Sequence, residues 1–418
     1  MTTDARKPTH TRKPTDASKP TAPRNQTPGK PPHEPKPPNA PTTRLSTNCS
    51  ARDWRCEPLT GITGFHESLP GYERTPLVEL PALADELGVG RAFVKDESSR
   101  MGLPAFKMLG VSYAVVRALS ERLSPGSAPL SLDALRTRLA TSALTLVAAT
   151  DGNHGRAVAH MARLVGIRSR IFVPATVTAE AQRAIADEGA AVQVLDQPYD
   201  DVVAAAAEGA SADPGMVHVQ DTAWSGYHRV PQWIVDGYQT LCTEASQQLA
   251  DAGATHLDLV AVPVGVGSLA QAVVRHFRSA PGIAGGRAAT VLSVEPELAP
   301  TLLGSLEAGE PRSVTTGETI MLGLNCGTLS EIAWPILHAG VDAAVTVSED
   351  AAAQAVHDLA RLGVDAGPCG AASLAGVRAL VAASSTKDGV TDALPRDAVV
   401  LLLSTEGTAA NPLPEHYL

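Results

Sequence analysis

"ALTLVAATDGNHGRAVAHMARLVGIRSRIFVPA", Ala143 to Ala175, sets the architecture of the 418-residue chain. Its opening, "ALTLVAAT", is an apolar run with the length of a buried strand. "GRAVAHMARLVG" then spaces its apolar residues three and four apart, as one face of a helix requires. "SRIFVPA" is a second apolar strand. Strand, helix and strand in this order form a βαβ unit, with parallel strands and a right-handed crossover.

The same alternation extends in both directions. Upstream lie the strand "RAFVKDE" and the amphipathic "AFKMLGVSYAVVRALSERL", with a helix expected from about Ala105. Downstream lie "AEAQRAIADEG", "AVQVLD" and "YDDVVAAAAEGA", and later "LDLVAVPVG", "SLAQAVVRHFR", "ATVLSVEPE" and "DAVVLLLSTEG". The pattern predicts an α/β protein of two parallel-sheet domains, with its site at the carboxyl ends of strands. At 44% hydrophobic and 4% aromatic, the core must be filled by Ala, Val and Leu.

A formal charge of -10 argues against a nucleic-acid surface. Cys49, Cys56, Cys242, Cys326 and Cys369 form no CxxC pair or zinc spacing, which suits a reducing compartment. No run of about 20 apolar residues offers a membrane span, and no secretory h-region is read, so a cytoplasmic location is expected. Residues 1–46, rich in Pro, Lys and Thr, are expected to form a disordered arm. The arm reads either as a solubilising extension or as a docking segment for an acidic or proline-binding partner.

Four turns can carry chemistry. "GVGSLA", Gly265 to Ala270, follows a strand and opens a helix, where backbone N–H groups can cradle a phosphate. It also fits the dinucleotide pattern GxGxxA, with Glu295 ending the next strand as a ribose acid, so an NAD(P) enzyme is a rival. Lys107 in "GLPAFKMLG" sits at a helix start, where the positive end of the dipole would help lower an amine pKa. That suits an imine-forming or proton-abstracting lysine; a solvated surface lysine is the alternative. In "ATDGNHG", Asp151 can move a proton and Asn153 can hold a phenolic oxygen or carboxylate, or either can cap the helix. Asp221 in "QDTAWSGY" is a second acid or another cap.

Taken together and in order, these blocks resemble the fold-type-II pyridoxal-phosphate enzymes, the tryptophan synthase β-like family. Within it, "FHESLPGYERTPL", "VKDESSRMGLPAFKMLG", "AATDGNHGRAVAHMARLVG", "PQWIVDGYQT", "TIMLGLNCG" and "LLSTEGT" are similar to the diaminopropionate ammonia-lyases, from about Gly64 to Asn411. The acid in "TDGNHG" is the most specific element.

The resemblance implies pyridoxal 5'-phosphate as cofactor and Lys107 as the lysine that binds it covalently. Asn153 would hydrogen-bond the cofactor's 3-oxygen; Gly265, Val266, Gly267, Ser268 and Leu269 would wrap its phosphate; Ser404 would face its ring nitrogen. It implies Lys107 and Asp151 as bases on opposite faces, and Asp221 as the group that receives a distal ammonium. Residues 47–117 and 226–418 would form the large cofactor domain and 118–225 the small one. The substrate would be a small amino acid, most simply 2,3-diaminopropionate, in a homodimer that binds neither nucleic acid nor membrane. A serine/threonine dehydratase, a β-replacement enzyme and a non-catalytic binding protein are the alternatives. Pro368 and Cys369 depart from the family's acid and hydroxyl, which leaves the exact substrate open.

Overall fold

A computed structural model describes residues 43–48, 50–57, 62, 64–279, 288–384 and 394–418. The arm expected over residues 1–46 lies outside the described residues up to residue 42. The first elements are β1 (Leu45–Thr47), β2 (Leu77–Glu79), α1 (Pro81–Leu87), β3 (Arg91–Asp96), α2 (Lys107–Leu123) and α3 (Leu132–Leu139). A second group follows: β4 (Thr145–Ala149), α4 (Asn153–Val165), β5 (Arg168–Pro174), α5 (Ala179–Asp187), β6 (Ala191–Leu195), α6 (Tyr199–Ala212) and β7 (Met216–His218). Next come α7 (Arg229–Asp251), β8 (Leu259–Pro263), α8 (Ser268–Ser279), β9 (Thr290–Pro296) and α9 (Thr301–Ala308). The last are α10 (Trp334–Gly340), β10 (Ala343–Val347), α11 (Glu349–Arg361), α12 (Pro368–Ser384) and β11 (Val399–Ser404).

Two sheets result. The larger has the order β1-β10-β9-β8-β11-β3-β2 and the smaller β6-β5-β4-β7. All ladders are parallel except at the outer edges of the larger sheet, where the three-residue strands β1 and β2 run antiparallel. The larger sheet is therefore mixed rather than wholly parallel.

The strand pattern explains the layering. Along β11, Leu401 and Leu403 join one buried cluster while Val400 and Leu402 join another, because successive side chains leave opposite faces. A strand covered on both faces must be apolar throughout, and all six β11 residues are buried. In the smaller sheet, Leu146 and Ala148 of β4 face the α4 side, and Val147 and Ala149 face Val202, Val203 and Ala206 of α6. Helix starts are set locally: the Ser131, Thr178 and Ser348 side chains accept the backbone N–H three residues on.

Buried charges fix the approach to α2. Glu244 of α7 accepts from Lys95 Nζ at 2.7 Å and Arg100 Nη2 at 2.8 Å, and Arg100 also pairs with Glu97 at 2.6 Å. Arg100 and Leu103 exchange backbone bonds across a tight turn, and Phe106 N–H donates to the Thr405 carbonyl. Lys107 is thereby delivered beside the carboxyl end of β11.

Candidate active site

The carboxyl ends of β4, β8 and β11 open on one cleft, the place where α/β folds bind small molecules. Lys107, Asp151, Asn153, Asp221 and the stretch Gly265 to Leu269 all line it. Ser404 lies just behind, fully buried at the end of β11, and its hydroxyl has no hydrogen-bond partner among the described residues.

Lys107 is the first residue of α2, two residues later than the pattern suggested. Its Nζ donates to Asp221 Oδ2 at 2.7 Å. Burial works to lower the amine pKa, but the Asp221 charge, together with Tyr238 and Asp151, outweighs it and raises the pKa. This reverses the expectation from the helix dipole, because a carboxylate in contact is a stronger field than a helix end.

Asp221 responds in the matching direction. Burial opposes its ionisation, yet Lys107 and then His154 hold its pKa at about 2. It is an ion-pair partner rather than a helix cap. His154 Nε2 bonds the Val219 carbonyl at 2.7 Å, which leaves Nδ1 facing Asp221 at 3.7 Å.

The "ATDGNHG" turn is not capped by its acid or amide. Helix α4 has Gly152 at its N-cap, without a side-chain bond. The Thr150 hydroxyl instead accepts the N–H groups of Gly152 and Gly155, at 2.9 and 3.0 Å. Asp151 and Asn153 are left to the cleft. Burial raises Asp151 to about 6, offset in part by Lys107 and reinforced by Asp221. Two acids in one cleft thus hold their protons very differently.

The glycine turn leads from β8 into α8. Gly267 has φ +94°, a conformation that favours glycine, and a Cβ there would lie 2.9 Å from Leu337. A side chain at Gly265 would meet the Gly323 carbonyl at 2.8 Å. The bare backbone keeps the first N–H groups of α8 open to an anion, since a helix start has no carbonyl a turn earlier to accept them. Glu295 is not free to hold a ribose: it is buried and accepts from Leu302 and Leu303 N–H, at 2.6 and 2.8 Å, at the start of α9. That removes the acid which the dinucleotide reading needed.

Tyr199, Cys326 and Glu406 also line the cleft; sequence reasoning gave Tyr199 and Cys326 no role and noted Glu406 only as an acid near Ser404 and the ring nitrogen. Tyr199 opens α6, the same strand-to-helix position that Asn153 holds before α4; that position was the available signal. Cys369 borders the cleft as a buried thiol, and burial pushes its pKa well above the usual value, with Glu406 adding to the shift.

The pyridoxal-phosphate dependent enzyme family matches residues 69–405. Diaminopropionate ammonia-lyase of Salmonella typhimurium is 37% identical over 376 residues, covering 85% of this chain and 90% of that protein. The Escherichia coli enzyme of the same name is 36% identical over 351 residues, covering 82% of this chain and 86% of its own. The crystal structure of diaminopropionate ammonia lyase from Escherichia coli in complex with D-serine aligns with a TM-score of 0.79 at 31% identity. That alignment covers 90% of this chain and 96% of the other.

Proposed function

The chain belongs to the pyridoxal-phosphate dependent enzymes of fold type II, and from that membership we propose an α,β-elimination on 2,3-diaminopropionate, which with one water gives pyruvate and releases both nitrogens as ammonia. The observation that carries the reading is the meeting of Lys107, Asp221 and Asp151 in a cleft that also holds the glycine turn.

The residues present fit the cofactor. The turn from Gly265 to Leu269 offers a helix start and bare backbone to a phosphate. The unpartnered Ser404 hydroxyl is a donor suited to a ring nitrogen, and Asn153 offers an amide to a ring oxygen. Pyridoxal phosphate, when bound, draws electrons from the substrate's α-carbon and makes its hydrogen acidic.

The protein's own groups do the rest. In its ion pair with Asp221, Lys107 holds its proton, so it would serve as a base only as the neutral amine left when the substrate takes its place on the cofactor. That Nζ would take the proton from the L face, and the Asp151 carboxylate would take it from the opposite face for the D isomer. Asp221, kept ionised in a buried site, receives the distal ammonium and favours a cationic side chain over a hydroxyl. A serine or threonine dehydratase would have no use for that acid.

The test is borohydride reduction of protein loaded with pyridoxal phosphate, followed by peptide mass analysis. The cofactor should be fixed to Lys107, and Lys107→Ala should lose both the fixed cofactor and pyruvate release from diaminopropionate. Label on another lysine would sink the assignment. The large domain (47–117 and 226–418), the small domain (118–225), a cytoplasmic location and a homodimer belong to the same proposal. The two sheets support the domain division, and light scattering at the mass of one chain would reject the dimer.

A further inference from the structure

We propose that Glu406 is a positioning residue that fixes the Asn153 amide with its N–H edge forward, so that Asn153 is a hydrogen-bond donor to an anionic ring oxygen. The proposal rests on the cofactor reading above.

Glu406 lies two residues past the end of β11 and is 3% exposed. Its backbone is held on two sides, by a bridge to Ala105 and by the Gly367 N–H, which donates to its carbonyl at 2.9 Å. Room for the side chain comes from Gly367, whose Cβ would lie 3.2 Å from the Glu406 Cγ.

Each polar contact of the carboxyl group is with a donor. Oε2 accepts from Asn153 Nδ2 at 2.6 Å. Oε1 accepts from the Cys369 N–H and from Asn411 Nδ2, both at 3.3 Å. Three donors converging on two oxygens call for the ionised form, since a protonated oxygen would turn its hydrogen toward a donor. Burial works the other way and raises the pKa, while the Cys369, Asn411 and Asn153 donors oppose the rise.

The consequence falls on Asn153. The two ends of an amide side chain are nearly alike in shape, so its neighbours decide which way it faces. A carboxylate only accepts, so the NH₂ end must face Glu406. That NH₂ carries two hydrogens. One goes to Glu406, and the second is left for an acceptor in the cleft. A glutamine at 406 presents both a donor and an acceptor, so it would pin neither orientation.

The experiment is equilibrium binding of pyridoxal phosphate to the apoprotein. It compares the parent, Glu406→Gln, Asn153→Ala and the double variant. Glu406→Gln should weaken binding about tenfold, the size of one charge-assisted hydrogen bond. It should also move the pH midpoint of the cofactor's visible absorbance. Both effects should vanish in the Asn153→Ala background, because Glu406 acts through Asn153. Equal losses in both backgrounds, or no loss in either, would overturn the proposal. A parent protein that binds no pyridoxal phosphate would reject the cofactor reading instead. If Glu406→Gln does not fold, Asn411→Ala serves in its place: it removes one donor from the carboxylate, and its smaller loss should again depend on Asn153.

Discussion

Asp151 and Asp221 show how environment gives like residues unlike tasks. Asp221 touches Lys107 and stays ionised; Asp151 is buried without such a contact and holds its proton up to about pH 6. A base must be unprotonated to accept, so turnover of the D isomer should fall as the pH drops below about 6. Turnover of the L isomer, served by Lys107, should not follow that curve. Asp151→Asn should spare the L isomer and cost the D isomer about 10²–10⁴-fold. Pyruvate release from each isomer measures both effects, and equal loss on the two would make Asp151 structural. At this scale the sequence was readable where chemistry is concentrated in one turn, as at Lys107, Asp151 and Asn153. It was silent on the bond between Asn153 and Glu406, 253 positions apart, because nothing local links the two.

Between elements, the decisive packing is α2 against α7. A Cβ on Gly110 would lie 2.5 Å from the Tyr238 ring, and one on Gly237 would lie 2.5 Å from the Leu109 carbonyl. The two glycines let the helices touch at the turn that begins with Lys107. Gly110→Ala should cost about 1–3 kcal/mol of stability by overpacking. It should also weaken cofactor retention, since α2 must shift; denaturant unfolding and absorbance test the two separately. Unchanged stability would mean that Tyr238 and Ile234 can move aside. Apolar runs made β4, β5, β8 and β11 legible. The three-residue strands β1 and β2 were not, because they exist only through pairing with β10 and β3. The glycine contact between α2 and α7 was equally hidden, since a glycine within a helix looks alike whether it is packed or exposed.

Across the whole molecule, Glu244 ties α7 to β3 and to the turn before Lys107 through Lys95, Arg100 and the Tyr72 hydroxyl. Glu244→Ala would leave two buried cations short of a partner and should destabilise the fold by about 3–5 kcal/mol. Burial would raise the Glu244 pKa, but Arg100 and then Lys95 hold it at about 2, below its ordinary 4.5. The ionised form therefore stabilises the fold above about pH 4.5, and that contribution is lost as the pH falls toward 2. Melting temperature against pH should show the decline, and Glu244→Gln should flatten it.

The position of β11 has a consequence for biosynthesis. The last strand among the described residues stands inside the larger sheet, bonded to β3 on one side and β8 on the other. On the ribosome, the smaller sheet has all its strands once His218 has emerged. The larger sheet must wait as two separate pieces, β2 with β3 and β8 with β9 and β10, until Ser404 is out. A chain released early therefore carries two unpaired strand edges, open to self-association, and it also lacks Ser404 and Glu406. The cleft is thus complete only once β11 has been made, and a chain cut short before it keeps both edges exposed.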